Sequence, residues 1–285
     1  FNQRKLRFYN LSYRHKNIEK VRLNGIKSLI AFIVCFLPIF FGFILPFLVL
    51  LNLGYGNLDI WLNASLILAI KNTLMVSGLA AFITVILALL MVYGIRLSGK
   101  QLPTLILPLT TIGYAAPGAV LGIGILVPLA FLDNWLADRV FDFTGYDPGL
   151  VFTGTAFAII LAYCVRFFSI AQHTVDGALG RVSPSLPNAA RSLGRNKLQV
   201  LWEIYRPLIS ASTATALLLV FVDCVKELPA TMLLRPFNFE TLATRVHVQA
   251  SLEDLPNAAP GAILIVLIGL CAVFLLARVN QQISH

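Results

Sequence analysis

Charge is scarce in this sequence. Of 285 residues only 12% are Asp, Glu, Lys or Arg, against the roughly 25% of an ordinary soluble domain, and 58% are apolar with a mean hydropathy of +0.82. A large soluble catalytic domain is excluded. The four cysteines, Cys35, Cys164, Cys224 and Cys271, stand singly in or beside apolar runs, without the C-x-x-C spacing of zinc, redox or iron–sulfur sites, and read as packing residues. His15, His173, His247 and His285 are equally scattered, so no metal site is expected. Catalytic residues are not expected either: Ser169 and His173 are i, i+4 neighbours with no orienting carboxylate close in sequence.

What is present is a set of six apolar runs of about the 20 residues a bilayer crossing needs. They predict an all-α polytopic membrane protein with spans near Leu29–Asn52, Thr73–Ile95, Pro103–Leu132, Leu150–Gln172, Arg206–Val222 and Pro260–Ala277. The charges orient it. With the amino terminus inside, residues 1–28, 96–102, 166–206 and 278–285 hold 17 basic and 3 acidic groups, leaving 5 basic and 10 acidic outside. Lys and Arg concentrate on the cytoplasmic side, so both termini are placed in the cytoplasm. Residues 1–28 carry eight basic groups, too long a stretch for a cleavable signal. They read as a basic cytoplasmic segment or a linker between halves, with 29–285 as the six-span domain, and the first residue, Phe1, suggests a piece of something longer.

The third run differs, because Pro108, Gly113, Pro117, Gly118, Gly122, Gly124 and Pro128 interrupt it. Backbone groups freed at membrane depth must face protein or a watery cavity, so Tyr114, Pro117 and Gly118 are candidates to line a pathway. At its cytoplasmic end the second run carries Gly94-Ile-Arg-Leu-Ser-Gly99-Lys100, which fits seven positions of a phosphate-cradling loop. The eighth is Gln101, with no hydroxyl for magnesium, and no strand precedes it. If ATP drives this protein, another subunit hydrolyses it.

The most informative cytoplasmic stretch runs from Ser185 to Pro207. Leu186, Ala189 or Ala190, and Leu193 share one helical face, Gly194 suits the left-handed position that ends a helix, and Asn196 can cap the next. Leu198, Leu201 and Tyr205 continue the apolar stripe, while Arg191, Arg195 and Lys197 stay wet. An amphipathic helix pair lying along the membrane plane is predicted near 185–205. A helix that only lies on lipid headgroups would share that pattern.

This stretch resembles the signature of permease subunits of type I ABC importers, E-A-A-x-x-x-G, nine residues, then I-x-L-P. It matches at Ala189, Ala190, Gly194, Ile204 and Pro207, and departs at Asn188, where the family usually has Glu, and at Arg206, where it has Leu. The resemblance implies that Asn188, Ala189, Ala190, Arg191, Leu193 and Gly194 form a coupling helix docking into a cytoplasmic ATPase dimer, which would carry ATP and Mg while this chain holds no cofactor. Tyr163-Cys-Val-Arg-Phe167, Pro117-Gly-Ala-Val-Leu-Gly-Ile-Gly124, Val225-Lys-Glu-Leu-Pro-Ala-Thr231 and Leu234-Arg-Pro-Phe-Asn-Phe-Glu-Thr-Leu-Ala243 look like the permease of bacterial ferric-iron importers. In that group two six-span halves are usually fused, so a second half, fused or separate, and a periplasmic substrate-binding protein are implied partners.

By the same resemblance the loop after Val222 holds the outer gate and the carrier-docking surface, with Lys226, Glu227, Arg235 and Glu240 as candidates. Glu227 lies close to apolar membrane, where an ionised carboxylate needs a partner; Arg235 or a group on the other half is expected. Asp133, Asp138, Asp142 and Asp147 with Tyr146 could form an acidic loop, read as solvated rather than as a metal site. The function expected is the channel half of an ATP-driven importer in a bacterial inner membrane, not an enzyme, moving ferric iron. The alternatives are another cargo (thiamine, a polyamine, phosphonate or an oxyanion) or a proton-coupled secondary carrier, which would need ionisable groups near mid-membrane. The expected partners include the lipid bilayer and no nucleic acid.

Overall fold

The computed structural model describes residues 23–56, 58–98 and 107–283. Most of the basic segment 1–28 therefore lies outside the described residues, as do Gly99, Lys100, Gln101, His15 and His285. The described chain is helical, and six helices are long and apolar enough to cross a membrane. These are α1 (Ile26–Tyr55), α2 (Ala64–Ser98), α3 (Gly118–Thr144), α4 (Phe157–Arg181), α6 (Lys197–Val225) and α9 (Leu255–Ile283). Three shorter helices, each of more than one turn, are α5 (Ser185–Ser192), α7 (Pro229–Leu234) and α8 (Leu242–Ser251).

Helices α2, α4 and α6 pack on one another to form the core. Their contact faces carry small residues, Ala80, Ala88, Ala158, Ala162 and Ala216, all fully buried beside Val76, Ile159 and Val220. In lipid there is no hydrophobic force between apolar helices, so close approach of small side chains supplies the packing. Helix α3 lies against α7 and α4, α8 against α9, and α1 leans on α9. Within α1 only Gly54 is buried, and a π-helical turn, Phe40–Ile44, falls between Pro38 and Pro46, where missing N–H groups unsettle the regular ladder. Cys164 and Cys224 are buried, whereas Cys35 and Cys271 are exposed and do not pack a core as expected.

The expected third span is the least accurate. Of the expected run Pro103–Leu132, residues 103–106 lie outside the described residues; the rest forms a 3₁₀ turn Leu107–Thr111, a single helical turn Ile112–Ala115, an extended break at Ala116 and Pro117, and then α3, which continues to Thr144. The break sits at Pro117 because proline cannot donate and biases the residue before it away from the helical region; Ala116 has ψ 138°. Asp133, Asp138 and Asp142 thus stand on a helix rather than in an acidic loop. The fourth span starts at Phe157 rather than Leu150. The second amphipathic helix is not separate, since it is the first part of α6, continuous with the fifth span through a π-helical turn Leu201–Tyr205.

Candidate functional site

The break before α3 is where charge meets the membrane-spanning bundle. Arg166 sits at the tenth position of α4, about 14 Å along the helix from Phe157 and about 22 Å from Arg181. That is well inside the span rather than at an end from which it could snorkel. Its Nε is 3.1 Å from Glu227 Oε2, with side chains only 19% and 8% exposed, an ion pair by distance although the N–H is not aligned on the oxygen. Its Nη1 donates to the Ala116 carbonyl at the break (3.0 Å). One guanidinium therefore serves both the carboxylate and a backbone oxygen, as low-dielectric surroundings demand.

Glu227 occupies the junction between α6 and α7. Its Oε1 accepts from Ala230 N (3.3 Å) and its carbonyl from Thr231 Oγ1 (2.9 Å). Since that hydroxyl spends its proton on Glu227, Tyr163 is the donor in the 2.6 Å contact between the Tyr163 hydroxyl and Thr231 Oγ1. Gly118 completes the cluster. A Cβ there would stand 2.7 Å from Glu227 Oε1, 3.1 Å from Arg166 Nη1 and 3.2 Å from Pro229 Cβ. The expected pairing of Glu227 with Arg235 is corrected by this geometry, since Arg235 is instead 3.8 Å from Glu240; Lys226, never a candidate partner, pairs with Asp223 at 2.7 Å. Of the three pathway candidates, Gly118 is buried in the cluster, while Pro117 and Tyr114 are exposed.

The outer-loop candidates Arg235 and Glu240 lie together on a cavity of about 490 Å³ that Ser65, Leu68 and Met232 also line. The loop is fastened to α2: Asn72 Nδ2 donates to the Glu240 carbonyl (3.0 Å) and Leu242 N to Thr73 Oγ1 (2.8 Å). Phe237 is fully exposed at its tip, followed by Asn238 at φ +60°. Beneath the loop, Arg245 is 6% exposed, donates to Ser65 Oγ at 2.7 Å and stands 3.7 Å from Glu240 Oε2.

At the other end of the bundle, the expected turn between two helices is present. Gly194 has φ +83°, open to glycine without penalty, and Asn196 closes a reciprocal capping box with Gln199. Asn188 Oδ1 accepts from Arg191 Nη2 (2.6 Å), and Arg195 pairs with Glu203 (3.1 Å). Pro187, Ala190 and Val200 are the buried residues, and Tyr93 donates its hydroxyl to the Lys197 carbonyl (2.6 Å), tying the turn to α2. The expected apolar stripe is not buried: Leu186, Leu193 and Leu198 are 48%, 83% and 66% exposed. Ala189 is also exposed, while Ile204 is half-buried and Pro207 exposed in the opening of α6.

Residues 85–285 match the family of binding-protein-dependent transport system inner membrane components. The chain belongs to this family of permeases. It is 30% identical over 210 residues to a Fe(3+)-transport system permease protein of Haemophilus influenzae, a match covering 74% of this chain and 38% of that protein. It is 28% identical over 174 residues, 60% of this chain and 58% of the relative, to a putative 2-aminoethylphosphonate transport system permease of Salmonella typhimurium. The chain thus spans about two fifths of the length of the ferric relative. Its fold is similar to a chain of a crystallised bacterial alginate ABC transporter in complex with an alginate-loaded periplasmic protein (TM-score 0.62, 15% identity, 89% of this chain and 93% of that one).

Three residues have roles in the structure that the sequence does not assign to them. Arg166 was placed with the cytoplasmic charges, although one cation inside an apolar run calls for an acid elsewhere at the same depth. Arg245 carried no motif. Asp133 is fully buried and accepts from Val151 N (3.0 Å), Phe152 N (2.8 Å), Thr153 N (2.7 Å) and Thr153 Oγ1 (2.6 Å). It fastens the loop before α4 to α3, and only tertiary pairing over 18 or more residues reveals it.

Proposed function

We propose that this chain is one six-span half of the channel of a type I ATP-driven importer in a bacterial inner membrane, with ferric iron as cargo. The observation that carries the reading is the continuity of the cytoplasmic turn with the spanning helix. Helix α5, the Gly194 turn and α6 form one connected path ending at the Glu227 junction, so a push on α5 reaches the Arg166–Glu227 cluster through a single helix. A cytoplasmic ATPase dimer, holding ATP and Mg, would dock on Asn188 to Gly194 and on the surface around Ile204 and Pro207. A periplasmic binding protein would deliver cargo at Lys226, Arg235 and Glu240, and a second half, fused or separate, would close the pathway on the side of Tyr114 and Pro117. Alternating exposure then follows from rocking of the two halves.

The chain's own residues bind, position and couple. Arg166 holds the broken backbone at Ala116, Glu227 neutralises Arg166, and Gly118 leaves the space for both. An ion pair inside the spans weakens the charge argument against a secondary carrier, but membership of the permease family and the cytoplasmic helix pair favour the importer.

Ferric iron is the preferred cargo because the relative named for it matches over most of this chain. The relative named for a phosphonate matches a larger share of its own length, and phosphonate is the second reading. The test is ATPase stimulation of the assembled transporter by purified carriers. Stimulation by the ferric-loaded carrier and not by a phosphonate-loaded one is expected, and the reverse would replace iron as the cargo.

A further inference from the structure

Arg206 stands where the family signature has leucine, between Ile204 and Pro207, and the docking proposed for that surface assigns no contact to its guanidinium. Its guanidinium carbon lies 4.9 Å from the centre of the Trp202 ring. The nearest acid in sequence, Glu203, is engaged by Arg195, and among the described residues no carboxylate pairs with Arg206. It is an exposed cation whose one recorded contact is an aromatic face.

Beside it runs a groove of about 490 Å³ between α2 and α6. Its walls are Ile86, Leu89 and Leu90 on one side and Ile209 and Leu217 on the other, with Trp202 and Arg206 at one end. The polar groups in these walls are already used. Ser210 Oγ donates to the Pro207 carbonyl (3.0 Å), Thr213 Oγ1 to the Ile209 carbonyl (3.0 Å) and Tyr93 to Lys197. The groove therefore presents hydrocarbon along about 22 Å of α6, from Trp202 to Leu217, and an unneutralised guanidinium at its mouth.

That mouth lies at the polar boundary of the bundle. Arg96 pairs with Asp176 at 2.9 Å and Arg181 donates to Ser212 Oγ at 2.8 Å near this end. Helix α6 has 29 residues, or about 43 Å, longer than the roughly 30 Å hydrocarbon layer, so its first turns reach the headgroup region. Tryptophan at that depth with a neighbouring cation is an interfacial pattern. Ile86 and Leu90 are 38% and 60% exposed, leaving the groove open sideways.

We propose that this groove is a binding site for one anionic phospholipid, its acyl chain lying along α2 and α6 and its phosphate held by Arg206 above Trp202. Charge complementarity selects the occupant: an apolar trench alone accepts any acyl chain, whereas a lone guanidinium at headgroup depth favours a net negative lipid. The assignment depends on the membrane reading and not on the cargo.

The experiment is native mass spectrometry of the intact transporter, taken from nanodiscs of mixed phosphatidylglycerol and phosphatidylcholine and progressively delipidated. Wild type should retain phosphatidylglycerol preferentially. Arg206→Gln should lower that retention about five-fold, the effect of one basic residue at an anionic surface, and Arg206→Lys should restore most of it. Ala214→Phe, which fills the groove wall, should lower retention of both lipids. On unsubstituted transporter a photoactivatable phosphatidylglycerol should label residues 86–93 and 202–217, a readout independent of any variant. Equal retention in wild type and Arg206→Gln, labelling confined to other segments, or photocrosslinking of a benzophenone side chain placed at position 210 to a helix of the second half would each overturn the proposal. Cargo-stimulated ATPase activity, followed in parallel, reports on the importer reading separately.

Discussion

Arg166 Nε and Glu227 Oε2 are 3.1 Å apart although 61 positions separate them in the chain, and the same guanidinium holds the Ala116 carbonyl. Removing either partner leaves a charge with no counterion in a low-dielectric site. Arg166→Ala and Glu227→Ala are each expected to cost about 3 kcal/mol, and the double variant less than their sum. A double-mutant cycle on thermal or denaturant stability in detergent checks this; additivity would mean that the two charges do not interact.

Gly118 sits against that pair. Gly118→Ala places a methyl group 2.7 Å from Glu227 Oε1, so a cost of about 1–3 kcal/mol is expected from overpacking. Uptake should fall while the ATPase subunits still co-purify. Gly124→Ala, with nothing within 4 Å of the added carbon, is the control and should behave as wild type in both assays.

The sequence carried the span count and the turn between α5 and α6 well, because hydrocarbon thickness and left-handed glycine leave local marks: Gly194 and Asn196 do what their positions imply. It carried the ion pair poorly. Glu227 was recognised as needing a partner, but Arg235 was nearer in sequence than Arg166, and local spacing is blind to which helices meet. Asp133 looked like a solvated loop acid for the same reason, since its three backbone donors come from residues 151–153. The third span was misplaced because hydropathy does not register the break that Pro117 imposes.

Asp133 predicts a local effect. Asp133→Ala removes the acceptor of four hydrogen bonds, each worth about 1.5–3 kcal/mol when charged but not additive. Amide exchange in residues 150–156 should accelerate strongly with little change in α4. Unchanged protection there would remove Asp133 from its role as the loop's anchor.

Orientation is tested by labelling. Asp142 and Ser192 are both exposed, and the distribution of basic residues places them on opposite faces. A single cysteine at Asp142 should react with an impermeant reagent from the periplasmic side, and one at Ser192 should not. The reverse pattern would invert the arrangement of outer loop and coupling helix.

In the importer proposed above, α5 and its turn transmit ATP hydrolysis to the channel. Gly194 has φ +83° and nothing within 4 Å of an added Cβ, so Gly194→Val acts on the backbone, at a cost of about 1–2 kcal/mol or more. The direct measurement is iron uptake and ATP hydrolysis, followed together in proteoliposomes containing the assembled transporter and its ferric-loaded carrier. Gly194→Val is expected to keep membrane insertion and ATPase binding but to lower the iron moved per ATP hydrolysed, with Gly194→Asn intermediate. An unchanged ratio of uptake to hydrolysis in Gly194→Val would contradict it.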